Sequence, residues 1–128
     1  MMQGRYIYEY SVIRLVPRVE REEFVNIGII LYCKSQKYLN IQFHINKSRI
    51  EALYSSVDLN FVQDHIIEIT NIVKGKCNNH FIKSIDEGSK FRWLSAKKST
   101  MIQYAPIHIG MTHDLDKCLE ELMQLFVL

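Results

Sequence analysis

A chain of 128 residues, 48% hydrophobic and 23% charged, suits one globular domain, and a net charge of only +2 leaves no overall footprint of nucleic-acid binding. Cys33, Cys77 and Cys118 are too few and too widely spaced for a secreted disulfide scaffold, so reduced thiols and a cytoplasmic location are expected. The opening residues lack the apolar stretch of a signal peptide, and no run approaches the roughly 18 apolar residues that cross a bilayer.

Residues 5–16 are β-rich, with Tyr6, Tyr8, Tyr10 and Val12 on one face and Ile7, Ser11, Ile13 and Leu15 on the other. Pro17 ends the run because it has no amide to donate. A charged link, Arg18 to Glu23, leads into a second strand. There Val25, Ile27, Ile29, Leu31 and Cys33 share one face, and Asn26, Gly28, Ile30 and Tyr32 take the other. Gly28 inside a strand signals a bulge or a group lying close against the backbone. Tyr38 to Ile45 alternates plainly, with Leu39, Ile41, Phe43 and Ile45 inward. Consecutive order and short links predict an antiparallel meander.

Asn46 is placed to cap a short helix carrying Ile50, Leu53 and Tyr54. Asp58 or Asn60 caps a longer one, Asn60 with Gln63 having the spacing of a capping box. Its stripe of Leu59, Val62, Ile66, Ile69 and Val73 has helical period, and Gly75 supplies the stop. Cys77 to Lys90 is ambiguous, with a short helix around Phe81 to Ile85. Thr100 to Ala105 reads as a strand broken by Pro106, and Thr112 or Asp114 opens a last helix with Leu115, Leu119, Leu122 and Phe126 on one face. The sum is a single α+β domain over residues 1–128: an antiparallel sheet opened by a three-stranded meander, with helices packed on one face.

Chemistry-bearing patterns are sparse. Cys77-Asn78-Asn79-His80 is one CxxH pair where a structural zinc site shows two, so no metal is expected. No nucleophile elbow surrounds Ser95, Ser99 or Thr100, and neither GxxxxGK[ST] nor GxGxxG occurs, so no cofactor is expected either. Arg92 and the run Lys97-Lys98-Ser99-Thr100 gather donors that suit an oxyanion or a nucleic-acid backbone. The plainer reading has Ser99 and Thr100 starting a strand while the lysines stay in water. Stacking of RNA bases on Tyr8, Tyr10 or Trp93 is a further alternative, although Trp93 is expected to be buried.

Arg14, Glu23 and Asn26 form the sharper constellation. If the first two strands pair as a hairpin, Arg14 faces Glu23 or Asn26, and its planar fork matches a carboxylate. Such a cluster either clamps the strand register or faces a partner or ligand. A carboxylate beside arginine is a poor general base, because the positive charge lowers its pKa.

These residues also carry a resemblance. The chain resembles the uncharacterised bacterial family DUF 3037 through Tyr10-Ser11-Val12-Ile13-Arg14-Leu15-Val16-Pro17 and Glu23-Phe24-Val25-Asn26-Ile27-Gly28. Further along it does so through Phe91-Arg92-Trp93-Leu94, Lys98-Ser99-Thr100 and Pro106-Ile107-His108-Ile109-Gly110. Lys98 stands where the family leads one to expect arginine, which removes the bidentate fork there. The resemblance implies no reaction. It does imply a gene-neighbour association with HipA-like kinases, and hence an accessory or antitoxin-like role. The expectation is a non-catalytic interaction protein whose sheet, or whose Arg14/Glu23/Asn26 edge, engages a protein such as a HipA-like kinase. The alternative is a phosphate-ligand or nucleic-acid-binding domain, or an enzyme, that uses Arg14, Arg92 and Lys98-Ser99-Thr100, with Arg14 and Arg92 converging on one cleft.

Overall fold

The structure, a computed structural model, describes residues 5–96 and 100–128. It is α+β. Strands β1 (Tyr6–Leu15), β2 (Val25–Cys33) and β3 (Tyr38–Phe43) form the expected antiparallel meander. Helices α1 (Lys47–Leu53), α2 (Leu59–Val73), α3 (His80–Ser84) and α4 (Glu87–Ser95) follow. The chain then returns through β4 (Ile102–Tyr104) and β5 (His108–Thr112) to the closing helix α5 (Leu115–Phe126). On the free side of β1, β4 pairs with its C-terminal half and β5 with its N-terminal half, both antiparallel.

The pairing of β1 with β2 explains why Gly28 is a glycine. Ile13 lies opposite Gly28 and Arg14 opposite Asn26, so Ile27 is the extra residue of a bulge. A side chain at Gly28 would put its Cβ 2.5 Å from the Gln42 carbonyl oxygen and 2.8 Å from the Phe43 ring. The bulge also corrects the face assignment of β2. Val25 and Ile27 enter the same core as Ile30 and Tyr32, whereas Ile29, Leu31 and Cys33 enter a second core behind the sheet. One inserted residue reverses the alternation.

Both faces of the sheet are therefore covered, and helices do not lie on one face alone. The first core joins Ile13, Leu15 and Ile30 to Ile50 of α1, Val62 and Ile66 of α2, and Phe91 and Leu94 of α4. The second packs Val12, Ile29 and Leu31 against Leu115, Leu119 and Leu122 of α5, with Tyr6, Tyr8 and Tyr10 at its margin. The physical reason lies in β2, whose nearly continuous apolar run is the pattern of a strand buried on both sides.

Local signals set most helix ends. Asn46 and Asp58 accept from the amides of Arg49 and Phe61 and so cap α1 and α2, whereas Asn60 lies inside α2. At the other end of α2 the Gly75 amide donates to Ile72 and the Lys76 amide to Asn71, with Gly75 at φ 71°, a Schellman stop. Asn79 caps the short α3 and Asp114 caps α5. Helix α4 and strand β5 are additions to the sequence-based order. Asp86 caps α4 by accepting from Ser89, and its weakly amphipathic GSK segment hides the helical period.

Candidate functional site

Arg14 and Asn26 are brought together where the bulge places them opposite one another; Glu23 is not. Glu23 instead accepts from Arg21 Nε at 2.5 Å on the exposed turn, and that hydrogen bond holds its carboxyl below the usual range. The Arg14 guanidinium stacks over the Phe24 ring, 4.1 Å from its centroid. Asn26 Nδ2 donates to the Phe126 carbonyl (3.0 Å) and Arg49 donates to the Val127 carbonyl (2.9 Å). Two side chains thus satisfy carbonyls at the C-terminal end of α5, where a helix lacks its own donors and favours positive charge. Arg49 was missed in the sequence, where it reads only as the third residue of a capped helix.

Two atoms of this cluster keep unspent hydrogen-bonding capacity: Arg14 Nε and Asn26 Oδ1 are buried without a hydrogen-bond partner among the described residues. They are a donor and an acceptor on facing residues. Beside them an open cleft of about 400 Å3 is lined by Phe24, Asn26, Arg49, Leu53 and Phe126. Its described lining residues include no carboxylate, histidine or thiol, the usual acid–base groups and nucleophiles.

Arg92 lies elsewhere. From α4 it makes a bidentate pair with Glu9 of β1, at 2.9 and 3.0 Å, which raises its pKa further above the usual arginine range. Glu9 shares the face of Ile13 and Leu15, whereas Arg14 points to the other face. The convergence of Arg14 and Arg92 on one cleft is therefore overturned. Lys98 and Ser99 lie outside the described residues. Thr100 donates to the Ile102 carbonyl (2.7 Å) and borders a smaller cleft with His65, Glu68, Trp93 and Tyr104. Trp93 is 44% exposed, contrary to its expected burial, while Tyr8 and Tyr10 pack at the α5 core instead of presenting free faces to bases. Among the described residues no group of three or more His, Cys, Asp or Glu side chains is placed to hold a metal ion, and no helix is long and apolar enough to span a membrane.

The most conspicuous surface is one the sequence analysis did not single out. On the face bearing the first core, the helices stop at the Glu9–Arg92 pair. Beyond it, Ile7 lies opposite Met111 and Glu9 opposite Ile109. Ile7, Ile109 and Met111 are 62%, 72% and 54% exposed. They form an apolar patch on a strip of sheet that no helix covers among the described residues. Among the described residues strand β5 pairs only with β1, and it contains no Lys, Arg, Asp or Glu, the residues that normally blunt a free edge. The period-two run of Ile107, Ile109 and Met111 was the available signal, hidden by Pro106 and Gly110.

No curated protein and no solved structure matches the chain. A family model described as "Protein of unknown function (DUF3037)" matches residues 10–127, nearly the whole domain, including the bulged hairpin, the Arg92 helix and the β4–β5 return. On that match the chain belongs to the DUF3037 family.

Proposed function

We propose that this protein is a non-catalytic interaction module that docks another protein on the uncovered strip of sheet formed by β1 and β5. The supporting observation is the exposed trio Ile7, Ile109 and Met111 beside an edge strand that contains no Lys, Arg, Asp or Glu. Contiguous apolar surface with a free ladder of backbone donors and acceptors suits a partner that covers the face or adds a strand. The Arg14–Asn26 cluster serves this surface indirectly, by fixing the end of α5 and hence the opposite side of β1.

A HipA-like kinase is the partner we propose, on the gene-neighbour association that the family resemblance implies. The test is purification of the tagged protein from its native cell, beside the variants Ile109→Lys and Met111→Lys. A stoichiometric kinase recovered with the wild type and lost from both variants, at unchanged melting temperature, supports the reading. Recovery of the same kinase with all three proteins refutes this surface, and recovery of no kinase refutes the partner.

A further inference from the structure

A second feature, independent of the docking surface, is the cleft between the start of β2, α1 and the end of α5. It encloses about 400 Å3, within the roughly 300–1,000 Å3 typical of small-molecule sites. Phe24, Val25, Leu53 and Phe126 give it apolar walls, and Asn26 and Arg49 are its polar lining. Arg14 stands opposite Asn26 in the hairpin and over the Phe24 ring, so its guanidinium lies at the margin of the same cleft.

Charge decides what such a cleft accepts. Among the described residues neither Arg14 nor Arg49 has a carboxylate within ion-pair distance. Glu20 and Glu23 of the adjoining turn are held by Arg18 and Arg21, and Glu51 projects from α1 about 200° around from Arg49. Residues 1–4 and 97–99 contain no Asp or Glu, so no acid there offsets the two arginines. The opposing influence is the end of α5, worth roughly half a negative charge. Its Phe126 and Val127 carbonyls already accept from Asn26 and Arg49, and Arg49 keeps its other N–H donors. Two guanidinium charges outweigh that helix end, and an anion is favoured.

Asn26 adds a second requirement. Its Nδ2 is committed to Phe126, which leaves the buried Oδ1 as an acceptor without a partner among the described residues. A bare anion would not satisfy it. A ligand that carries an N–H next to its carboxylate meets both demands.

We propose that this cleft binds an N-acylated apolar amino acid, either as a free molecule or as the C-terminal residue of a peptide. Its carboxylate accepts from Arg49 and Arg14, its amide N–H donates to Asn26 Oδ1, and its side chain lies against Phe24, Leu53 and Phe126. The intact chain is titrated calorimetrically with N-acetyl-phenylalanine, with the neutral carboxamide of that compound, and with 3-phenylpropionate, which keeps ring and acid but lacks the N–H. The expected result is saturable binding of N-acetyl-phenylalanine, with both other compounds weaker by about tenfold or more. Arg49→Gln and Arg14→Gln, each checked for an intact fold by its melting curve, should weaken the acid about tenfold and leave the carboxamide unchanged. A purely structural role for either arginine would not narrow that gap. An N-acetylated tripeptide ending in a free phenylalanine carboxylate separates the two sources. Binding as tight as that of the amino acid assigns a peptide C-terminus, and binding of the amino acid alone assigns a free molecule. No saturable binding of N-acetyl-phenylalanine, equal affinity for its carboxamide, or an unchanged acid–carboxamide gap in whichever variant folds would overturn the assignment.

Discussion

The polar residues of the bulged hairpin act as ties between elements. Asn26 reaches from β2 to the last turn of α5, so Asn26→Ala should cost about 1–3 kcal/mol and raise amide exchange in that turn. Arg14 has no carboxylate partner among the described residues, and Glu23 is bound to Arg21. Arg14→Ala therefore strands no charge and should cost only about 1–2 kcal/mol, from the lost stacking on Phe24 and lost stem packing. Gly28→Ala drives a methyl group into the Gln42 carbonyl and the Phe43 ring, and overpacking of that kind costs about 1–3 kcal/mol, readable in a denaturant midpoint. The sequence pointed to Arg14, Asn26 and Gly28 because polar or glycine positions interrupt apolar strands. It could not separate Glu23 as a partner for Arg14 from Glu23 as a partner for Arg21, since the turn geometry that decides between them is not a matter of spacing.

Elements with strong local signals were legible, and those built by tertiary context were not. Asn46, the Leu59–Val73 stripe, Gly75 and Asp114 mark helix ends by chemistry that acts within a few residues. Helix α4 has a cap at Asp86 but little amphipathic contrast, and its glycine is needed where the Tyr32 hydroxyl lies against it. The β2 faces were misread because a bulge reverses alternation while leaving composition unchanged. The Asp86 cap gives a pH prediction. Hydrogen bonds from the Ser89 amide and hydroxyl hold the Asp86 carboxyl below 3.8, its ordinary value. A lowered folded pKa contributes stability that is full above the unfolded value and is lost as pH falls through the folded one. Asp86→Ala should therefore lower the melting temperature at neutral pH, and the gap to wild type should close well below pH 3.8. A gap that persists in strong acid would show that Asp86 acts through something other than its charge.

At the scale of the whole molecule, two cores on the two faces of one sheet leave the strip around Ile7, Ile109 and Met111 bare among the described residues. That strip follows from chain length along the sheet: α4 reaches Glu9 through Arg92 and no further, while α5 backs the other side of the same strands. The α+β class and the meander were legible from periodicity. The bare strip was not, because it depends on how far a helix extends over a sheet and on β5 pairing with β1 across about a hundred residues of sequence. Ile109→Lys should change stability by no more than about 0.5 kcal/mol, as expected for an exposed position with no structural partner. The most direct measurement is hydrogen–deuterium exchange on the protein alone and in its purified complex. The account predicts that the β5 amides on the edge away from β1 exchange quickly in the free protein and become protected on binding, with little change along α5. Protection confined to α5 or to the Phe24–Arg49 cleft, with β5 still exchanging freely, would contradict it.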